Sequence, residues 1–160
     1  MKSYGLFSGV ILIGFGIYYF LSQSSIELFQ GFYSWPTILC IVGIAFLIQA
    51  YKGNKSDSIL AGVIFLGFGI HFHVVHTLKL WPNELGIFIL IISLGLMLQG
   101  SKAKSGMLPG FLLLVVALIL LFKEKMFDLL GIVQSGIGAS FPVWSILLVG
   151  LGVALLFIKK

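Results

Sequence analysis

Six long apolar stretches limit what this chain can fold into more than any other feature of its sequence. A membrane-spanning helix needs about 20 mainly apolar residues, and lengths of about 17–25 residues are usual. Strands of a membrane barrel would alternate apolar and polar residues, and these stretches do not. The sequence therefore predicts an all-α, polytopic membrane protein with six transmembrane helices. The six stretches are Tyr4–Ser22, Phe32–Tyr51, Ile59–Leu78, Trp81–Gln99, Met107–Phe122 and Phe141–Ile158.

The composition excludes the other common classes of protein. Only 9% of the 160 residues are charged and 59% are hydrophobic, whereas soluble domains carry roughly 25% charged residues. Disordered chains lack apolar side chains, and the single cysteine, Cys40, cannot form a disulfide framework. The first stretch is followed by no small-x-small cleavage site, so we expect a retained helix rather than a signal peptide. We expect residues 1–160 to form a single membrane domain.

Lysines are distributed unequally between the two sides that the six spans define. Seven lysines and Asp57 lie on one side, and three lysines and four acidic residues lie on the other. Short lysine-rich loops stay in the cytoplasm, so the sequence predicts a multi-pass protein with both termini cytoplasmic. The inner positive charge favours contact with anionic lipid or an acidic partner rather than with nucleic acid. The lysines expected to make this contact are Lys52, Lys55, Lys102, Lys104, Lys159 and Lys160.

The chain also contains an internal repeat. Segments Ser8–Ile17 and Ala61–Ile70 are identical at seven of ten positions with an offset of 53 residues, and the fifth span opens similarly at Pro109-Gly110. The second span of each pair opens on tryptophan and proline, at Trp35-Pro36, Trp81-Pro82 and Pro142-Val143-Trp144. Periods of about 50 residues indicate repeated structural units. The sequence therefore predicts three helical hairpins, covering approximately residues 4–52, 59–102 and 107–160.

The tryptophans and prolines have a simple physical interpretation. Proline is tolerated in the first turn of a helix, where its missing N–H would have no partner anyway. Tryptophan prefers the boundary between headgroups and hydrocarbon, where its ring and its N–H are both accommodated. We therefore expect these residues to be interface anchors rather than ligand contacts, namely Trp35, Pro36, Trp81, Pro82 and Trp144.

Glycines recur at helical spacing in the repeated segments. Gly5, Gly9 and Gly16 lie on one face of the first helix, and Gly62 and Gly69 repeat the seven-residue spacing in the third. Small residues let helix backbones approach closely in lipid. We expect these glycines to pack helices together within the chain, and the alternative is a homodimer seam at Gly5-x-x-x-Gly9.

Three histidines, His71, His73 and His76, form the densest polar cluster, at the outer end of the third span. On an α-helix His73 and His76 share a face. We expect histidines that pack at the interface or in the core, and no metal site. One alternative is a metal site with His73, His76 and Glu84 as candidate ligands, although a zinc site needs more ligands than one histidine pair, and the other is a pH-responsive outer surface. Glu84 in a first helical turn is also favoured by the helix dipole.

Two further expectations concern chemistry and the third outer connector. No nucleophile with its base, phosphate-binding loop or pair of catalytic carboxylates is present, so we expect no catalytic residues, no cofactor and no enzyme. The connector Lys123–Ser140 mixes apolar and charged residues, which predicts a short amphipathic helix resting on lipid.

The repeated Gly-Val-Ile-x-x-x-Gly-x-Gly-Ile, followed by a helix that opens with Trp-Pro and carries an inner glycine at Gly43 or Gly150, resembles the LiaI/LiaF-like transmembrane region of bacterial envelope proteins. The resemblance covers nearly the whole chain as repeated hairpins. It implies a protein of the bacterial cell membrane that is tied to the envelope stress response. Some members of the family anchor a phage-shock-type peripheral protein, and others restrain a sensor kinase. The restraining type carries a soluble C-terminal domain, and because no such domain is found before Lys160 we do not expect this chain to restrain a sensor kinase.

The sequence therefore predicts a non-enzymatic membrane anchor or interaction protein of the envelope stress response. Its expected partners are the lipid bilayer, a phage-shock-type peripheral protein or other membrane proteins, and a second copy of itself. The alternative is a small transporter or channel whose path runs between the hairpins, with His73, His76 and Glu84 at its mouth. A membrane-embedded metalloenzyme is a third possibility and requires a metal bound at the histidines.

Overall fold

The computed structural model describes residues 2–24, 26, 28–79, 84–104, 106–129, 148–150 and 152–153. These residues are helical or lie in turns, and none of them forms a strand. The α-helices are α1 (Lys2–Gln23), α2 (Trp35–Lys52), α3 (Ser58–Phe72), α4 (Leu85–Ala103) and α5 (Leu108–Leu129). A π-helical segment, His73–Leu78, continues α3 without a break.

Four helices in this part of the chain are long and apolar enough to cross a membrane. They are α1 from Gly5 onward, α2, α3 together with its π-helical extension as far as His76, and α4. The prediction of an all-helical, multi-pass membrane protein is confirmed for the described residues. Most of the sixth stretch, Phe141–Ile158, lies outside them, so the six spans and the three hairpins stay predictions.

The fourth span begins later than the sequence predicts. Its helix starts at Leu85, and Glu84 before it is extended, with φ −108° and ψ 142°. The π-helical segment carries the third span on to Leu78 and ends at Lys79, whose φ of 51° is left-handed. The helix α4 therefore does not begin at Trp81 as predicted. Trp81 and Pro82 lie outside the described part of the chain.

The second span, in contrast, opens on its tryptophan and proline as predicted. Ser34 is extended, with φ −130° and ψ 165°, and the helix starts at Trp35 with Pro36 in its first turn. Proline fits there because its fixed φ suits a helix and its missing N–H has no acceptor in the first turn.

The fifth helix is longer than predicted. It runs without interruption from Leu108 to Leu129, so it does not end at Phe122. The prediction that Lys123–Ser140 starts a separate helix is therefore wrong. Lysine and glutamate are good helix formers, and no glycine or proline interrupts the sequence before Gly131. Residues 130–140 lie outside the described part.

The helices are arranged in chain order, each packing against its neighbours in the sequence. The most extensive contacts join α2 to α3 and α4 to α5, while those between α1 and α2 and between α3 and α4 are smaller. The most extensively packed pairs therefore span the boundaries between the predicted hairpins. The fully buried apolar side chains of the described residues are small or branched, as close packing in lipid requires, and are Ala45, Ala50, Ile59 and Ala117.

Glycine makes the close approach of α2 and α3 possible. A Cβ atom on Gly43 would collide with the backbone nitrogen of Leu66. A Cβ atom on Gly69 would lie 2.5 Å from Cys40 Sγ and 2.7 Å from the carbonyl oxygen of Pro36. Backbone atoms cannot move aside as a flexible side chain can. These two glycines therefore set the distance between α2 and α3.

Candidate functional site

Aromatic rings and histidines lie at the predicted outer ends of α1 to α4 and in the connector between α1 and α2, in two groups of ring contacts, one that includes His73 and one centred on Phe72. We call the two groups together the outer ring cluster. Neighbouring ring centroids lie between 4.6 and 6.4 Å apart, within the range of favourable aromatic contacts. Its members are Tyr18, Phe29, Phe32, Tyr33, Trp35, Phe68, His71, Phe72, His73, His76 and Phe88.

His73 is the most constrained member of this cluster. Its Nε2 lies 2.9 Å from Thr37 Oγ1, and the Thr37 hydroxyl donates to the carbonyl oxygen of Phe32. Because that hydroxyl proton is already used, the imidazole must donate its Nε2–H to Thr37. The ring of Phe29 meets the imidazole edge-on at 5.1 Å. His73 therefore holds together α2, the π-helical segment and the connector that precedes α2.

The second nitrogen of the same imidazole is left without a partner. His73 Nδ1 is buried and has no hydrogen-bond partner among the described residues. With the proton on Nε2, this nitrogen presents a lone pair. A buried acceptor without a donor raises the free energy of the folded state, so the surrounding packing must compensate for it.

His71 is buried on the opposite flank of α3. It is 1% exposed, and its ring lies 4.8 Å from that of Phe88 in α4 and 5.4 Å from that of Phe72. Residues two apart on a helix point in nearly opposite directions. Both histidines are buried because α3 has a helix on each flank.

His76 is exposed and stacks on Phe72 at 5.8 Å. The prediction that His73 and His76 share a face is wrong for the described structure, since one is buried under the connector and the other is exposed. The physical reason is the π-helical segment, which widens the turn by one residue and rotates His76 away from His73. No periodicity in the sequence signals such a segment.

The candidate metal ligands are not gathered into one set. Among the described residues, no three histidine, cysteine or acidic side chains lie close enough together to hold a metal ion. Glu84 is half-buried at the start of α4, and its carboxylate makes no capping hydrogen bond. In this structure His71, His73 and His76 pack against neighbouring rings, and His73 also bonds to Thr37.

A second group of polar contacts lies at the opposite, predicted inner, ends of the helices. Lys102 at the end of α4 donates from Nζ to the carbonyl oxygen of Ala50, at 3.0 Å, and its Nζ lies 4.3 Å from the ring centre of Tyr51. Ser58 at the start of α3 donates to Oε1 of Gln49, at 3.2 Å. These contacts join the ends of α2, α3 and α4.

The six predicted inner lysines consequently differ in their surroundings. Lys102 is used within the fold, whereas Lys52 and Lys104 are exposed. Lys55 is half-buried and has contacts of its own. Lys159 and Lys160 lie outside the described residues. Among the described lysines of this set, Lys52 and Lys104 are therefore the two that are exposed and open to contact.

Of the predicted interface anchors, Trp35 and Pro36 are described. Trp35 is exposed, but its ring packs on Phe72 with centroids 4.6 Å apart, and Pro36 is buried. Trp81, Pro82 and Trp144 lie outside the described part. Sequence reasoning missed Thr37, whose buried hydroxyl lies between Phe32 and His73. A hydroxyl residue just after the tryptophan and proline was the available signal.

The predicted packing glycines fall into two groups. Gly62 faces Leu47, and Gly69 faces Pro36 and Cys40, so both lie against α2. Nothing lies within 4 Å of where a Cβ atom would stand on the other three, Gly5, Gly9 and Gly16. Sequence reasoning missed Gly14, which packs α1 against Ile41 of α2.

The family can be assigned from the sequence over α1 to α4. Residues 7–105 match the LiaF transmembrane domain, which is more than half of the chain. The chain belongs to the LiaF transmembrane domain family. The match ends just after α4, so α5 and the predicted sixth span lie beyond this LiaF transmembrane region, although the resemblance was expected to cover nearly the whole chain.

A relative of the same size extends the comparison beyond the LiaF transmembrane region. The chain is 23% identical over 160 residues to the uncharacterized membrane protein YsxD of Bacillus subtilis (strain 168), covering 100% of this chain and 97% of that protein. No solved structure matches the chain. The family and this relative agree on a protein embedded in the membrane.

Proposed function

We propose that this LiaF-type chain is a non-enzymatic protein of the bacterial cell membrane that holds other proteins at the membrane during envelope stress. The match of residues 7–105 to the LiaF transmembrane domain carries the proposal. The whole chain then forms three hairpins of six spans, with both termini in the cytoplasm.

The polar side chains within the spans support a scaffold rather than a conduction path. Ser93, fully buried in α4, donates to the carbonyl oxygen of Leu90 at 2.7 Å. Thr37 bonds to His73 and to Phe32. A path for ions or polar solutes needs polar groups that face one another or a water-filled cavity. The hydroxyls of Ser93 and Thr37 are satisfied inside one helix or between adjacent elements, which fits a rigid anchor better.

The inner lysines supply the surface on which a peripheral partner binds. Lys52 and Lys104 are exposed at the ends of α2 and α4, and each basic residue near an anionic membrane surface contributes about 1 kcal/mol to attraction. An acidic soluble protein of the phage-shock type is the partner that this charge and the family together favour. Anionic lipid headgroups fill the remaining positive surface.

Crosslinking in native membranes followed by mass spectrometry tests this function. We expect a phage-shock-type peripheral protein to be captured by the unmodified chain. Capture should fall in the variant Lys52→Gln/Lys104→Gln, because two exposed inner charges are removed. The matched control is Lys79→Gln, which removes an exposed lysine on the predicted outer side and should leave capture unchanged.

Two results would contradict the proposal. Capture of no peripheral protein, or equal loss in the control and in the inner variant, would remove the role of the inner surface. Selective solute flux through liposomes that contain the purified chain would instead favour the transporter or channel.

A further inference from the structure

The imidazole of His73 joins three elements at the predicted outer ends of the helices. Its Nε2–H donates to Thr37 Oγ1 of α2, at 2.9 Å, and the Thr37 hydroxyl donates in turn to the carbonyl oxygen of Phe32 in the connector between α1 and α2. Phe29 of the same connector packs against the imidazole, with ring centroids 5.1 Å apart. The contacts of the connector with α2 and with the π-helical segment therefore meet at His73.

The neutral form of this imidazole is the one that fits these contacts. The side chain is 9% exposed, and its Nδ1 is buried without a hydrogen-bond partner among the described residues. A second proton would go to Nδ1, because Nε2 already carries one. That proton would create a buried charge and a buried N–H donor, both without a partner, and each is costly. A protonated His73 therefore requires the connector to move so that water reaches Nδ1.

The groups around His73 cannot compensate such a charge. Thr37 and Phe29, which contact it, are neutral. Glu27 of the connector lies outside the described residues. The described titratable groups in the outer halves of α1 and α2 and in the connector are tyrosine and cysteine side chains, which stay neutral below about pH 8. They are Tyr18, Tyr19, Tyr33 and Cys40.

Other ionisable groups at this end have different surroundings. Glu84 precedes α4, and α4 packs on the flank of α3 that carries His71. His76 is exposed, so it takes up a proton without any change in packing. Lys79 is exposed at the end of the π-helical segment. His73 is therefore the histidine whose second proton is coupled to the position of the connector.

We propose that His73 is a pH-sensitive latch, which holds connector residues 28–34 in place at neutral pH and releases them in acid. In the closed form the imidazole takes up no second proton, whereas in the open form water solvates it and it does so near about pH 6.5. Protons therefore bind more strongly to the open form, and a falling pH shifts the population toward it. The predicted topology places this latch on the outer side of the membrane.

The release is confined to one end of the helices. All three histidines of the chain lie at positions 71–76, near the predicted outer end. The inner ends are joined instead by the bonds from Lys102 to the Ala50 carbonyl and from Ser58 to Gln49. Amine, hydroxyl and amide groups do not change their protonation between about pH 7.5 and about pH 5.5. The turn before α3 is therefore an internal reference for the latch.

Hydrogen–deuterium exchange of the purified full chain in micelles tests the latch, because exchange reports local opening. The amides of Phe32 and Thr37 each bond to the carbonyl three residues earlier, at 3.0 and 3.1 Å, and those of Ser58 and Ile59 do the same at the inner turn, at 3.1 and 3.0 Å. Both pairs meet the same solution, so the ratio of outer to inner exchange rates cancels the intrinsic effect of pH. We expect this ratio to rise up to about tenfold from about pH 7.5 to about pH 5.5.

Two variants assign the response to one side chain. His73→Gln keeps an N–H donor for Thr37 but takes up no proton, so its ratio should stay at the value that the unmodified chain has at neutral pH. His76→Gln is the matched control, because it removes an exposed histidine, and it should respond as the unmodified chain does.

A ratio that stays constant in the unmodified chain would overturn the latch. An undiminished rise in His73→Gln would also overturn it, because another group, such as His71, would then sense the pH. If His73→Gln does not fold, His73→Phe takes its place as a variant without a titratable side chain, and its ratio must likewise not change with pH. The result is independent of whether a peripheral partner binds at the inner lysines.

Discussion

The first and third helices carry almost the same sequence in opposite surroundings. Ser8–Ile17 and Ala61–Ile70 share seven of ten residues. Yet α1 packs mainly against α2 and has none of its spanning residues buried, whereas α3 lies between α2 and α4. The motif therefore specifies two faces that are able to pack, one on each side of the helix. Which of them is filled depends on the neighbours that the rest of the chain supplies.

We expect the two helices to differ most in how the free energy of unfolding changes when equivalent glycines are replaced by a larger residue. In α3, Gly69→Ile places atoms against the Pro36 carbonyl and Cys40, so we expect the free energy of unfolding to fall by about 1–3 kcal/mol or more from overpacking. In α1, the counterpart Gly16→Ile has open space around it, so the stability of the single chain should hardly change. Unfolding by sodium dodecyl sulfate in mixed micelles measures both.

The two variants are matched because the same residue is introduced at positions 53 residues apart. Equal destabilisation would show that α1 is covered even in the isolated chain, and the contrast between the helices would then be lost. A neutral Gly16→Ile beside a destabilising Gly69→Ile would instead show that the two equivalent positions differ in their surroundings as described.

A smaller difference in stability is expected from the hydrogen bond between His73 and Thr37. His73 bonds to Thr37, whereas its counterpart Phe20 is exposed. Thr37→Val removes the acceptor of the buried Nε2–H, and hydrogen bonds between membrane helices contribute about 0.6–2 kcal/mol. We therefore expect the free energy of unfolding to fall by about 1 kcal/mol, measured by the same titration.

A double-mutant cycle isolates that bond. His73→Phe places at the start of the π-helical segment the residue that α1 carries at the equivalent position, and the combination with Thr37→Val should cost less than the sum of the two single changes. Simple additivity would mean that the imidazole and the hydroxyl contribute independently, through packing alone. Phe20→His is the reciprocal control and should leave stability unchanged, because position 20 has no hydroxyl partner.

The sequence could predict the spans because the bilayer sets their length and their apolar character. Tyr4–Ser22 corresponds to α1 and Phe32–Tyr51 to α2 within a few residues at each end. The motif of the first and third helices was also sufficient to identify the LiaF family. These properties depend on local composition and on residues that are close together in the chain, so they can be read from one sequence.

The sequence could not predict which helices pack most extensively or where the histidines point. The hairpin prediction paired α3 with α4, but the contacts of α3 with α2 are larger because Gly43 lets the two backbones meet. Hydrocarbon surrounds every helix in the membrane, so an apolar pattern does not tell a buried face from one that faces lipid. The π-helical segment, which separates His73 from His76, leaves no mark in the periodicity.

The smallest expected difference in stability is between two lysines at the predicted inner end of the fold. Lys102 bonds to the Ala50 carbonyl and lies over Tyr51, whereas Lys104 two residues later is exposed. Lys102→Gln should lower the free energy of unfolding by about 0.5–1 kcal/mol, the range for a partly exposed cation on an aromatic ring, and Lys104→Gln should not. In native membranes we expect the opposite order for capture of the peripheral partner. Lys104→Gln should reduce capture more than Lys102→Gln, because Lys104 is exposed and Lys102 is bonded within the fold. If both variants behave alike in both measurements, the inner lysines act only as a diffuse positive charge, and position within the fold does not matter there.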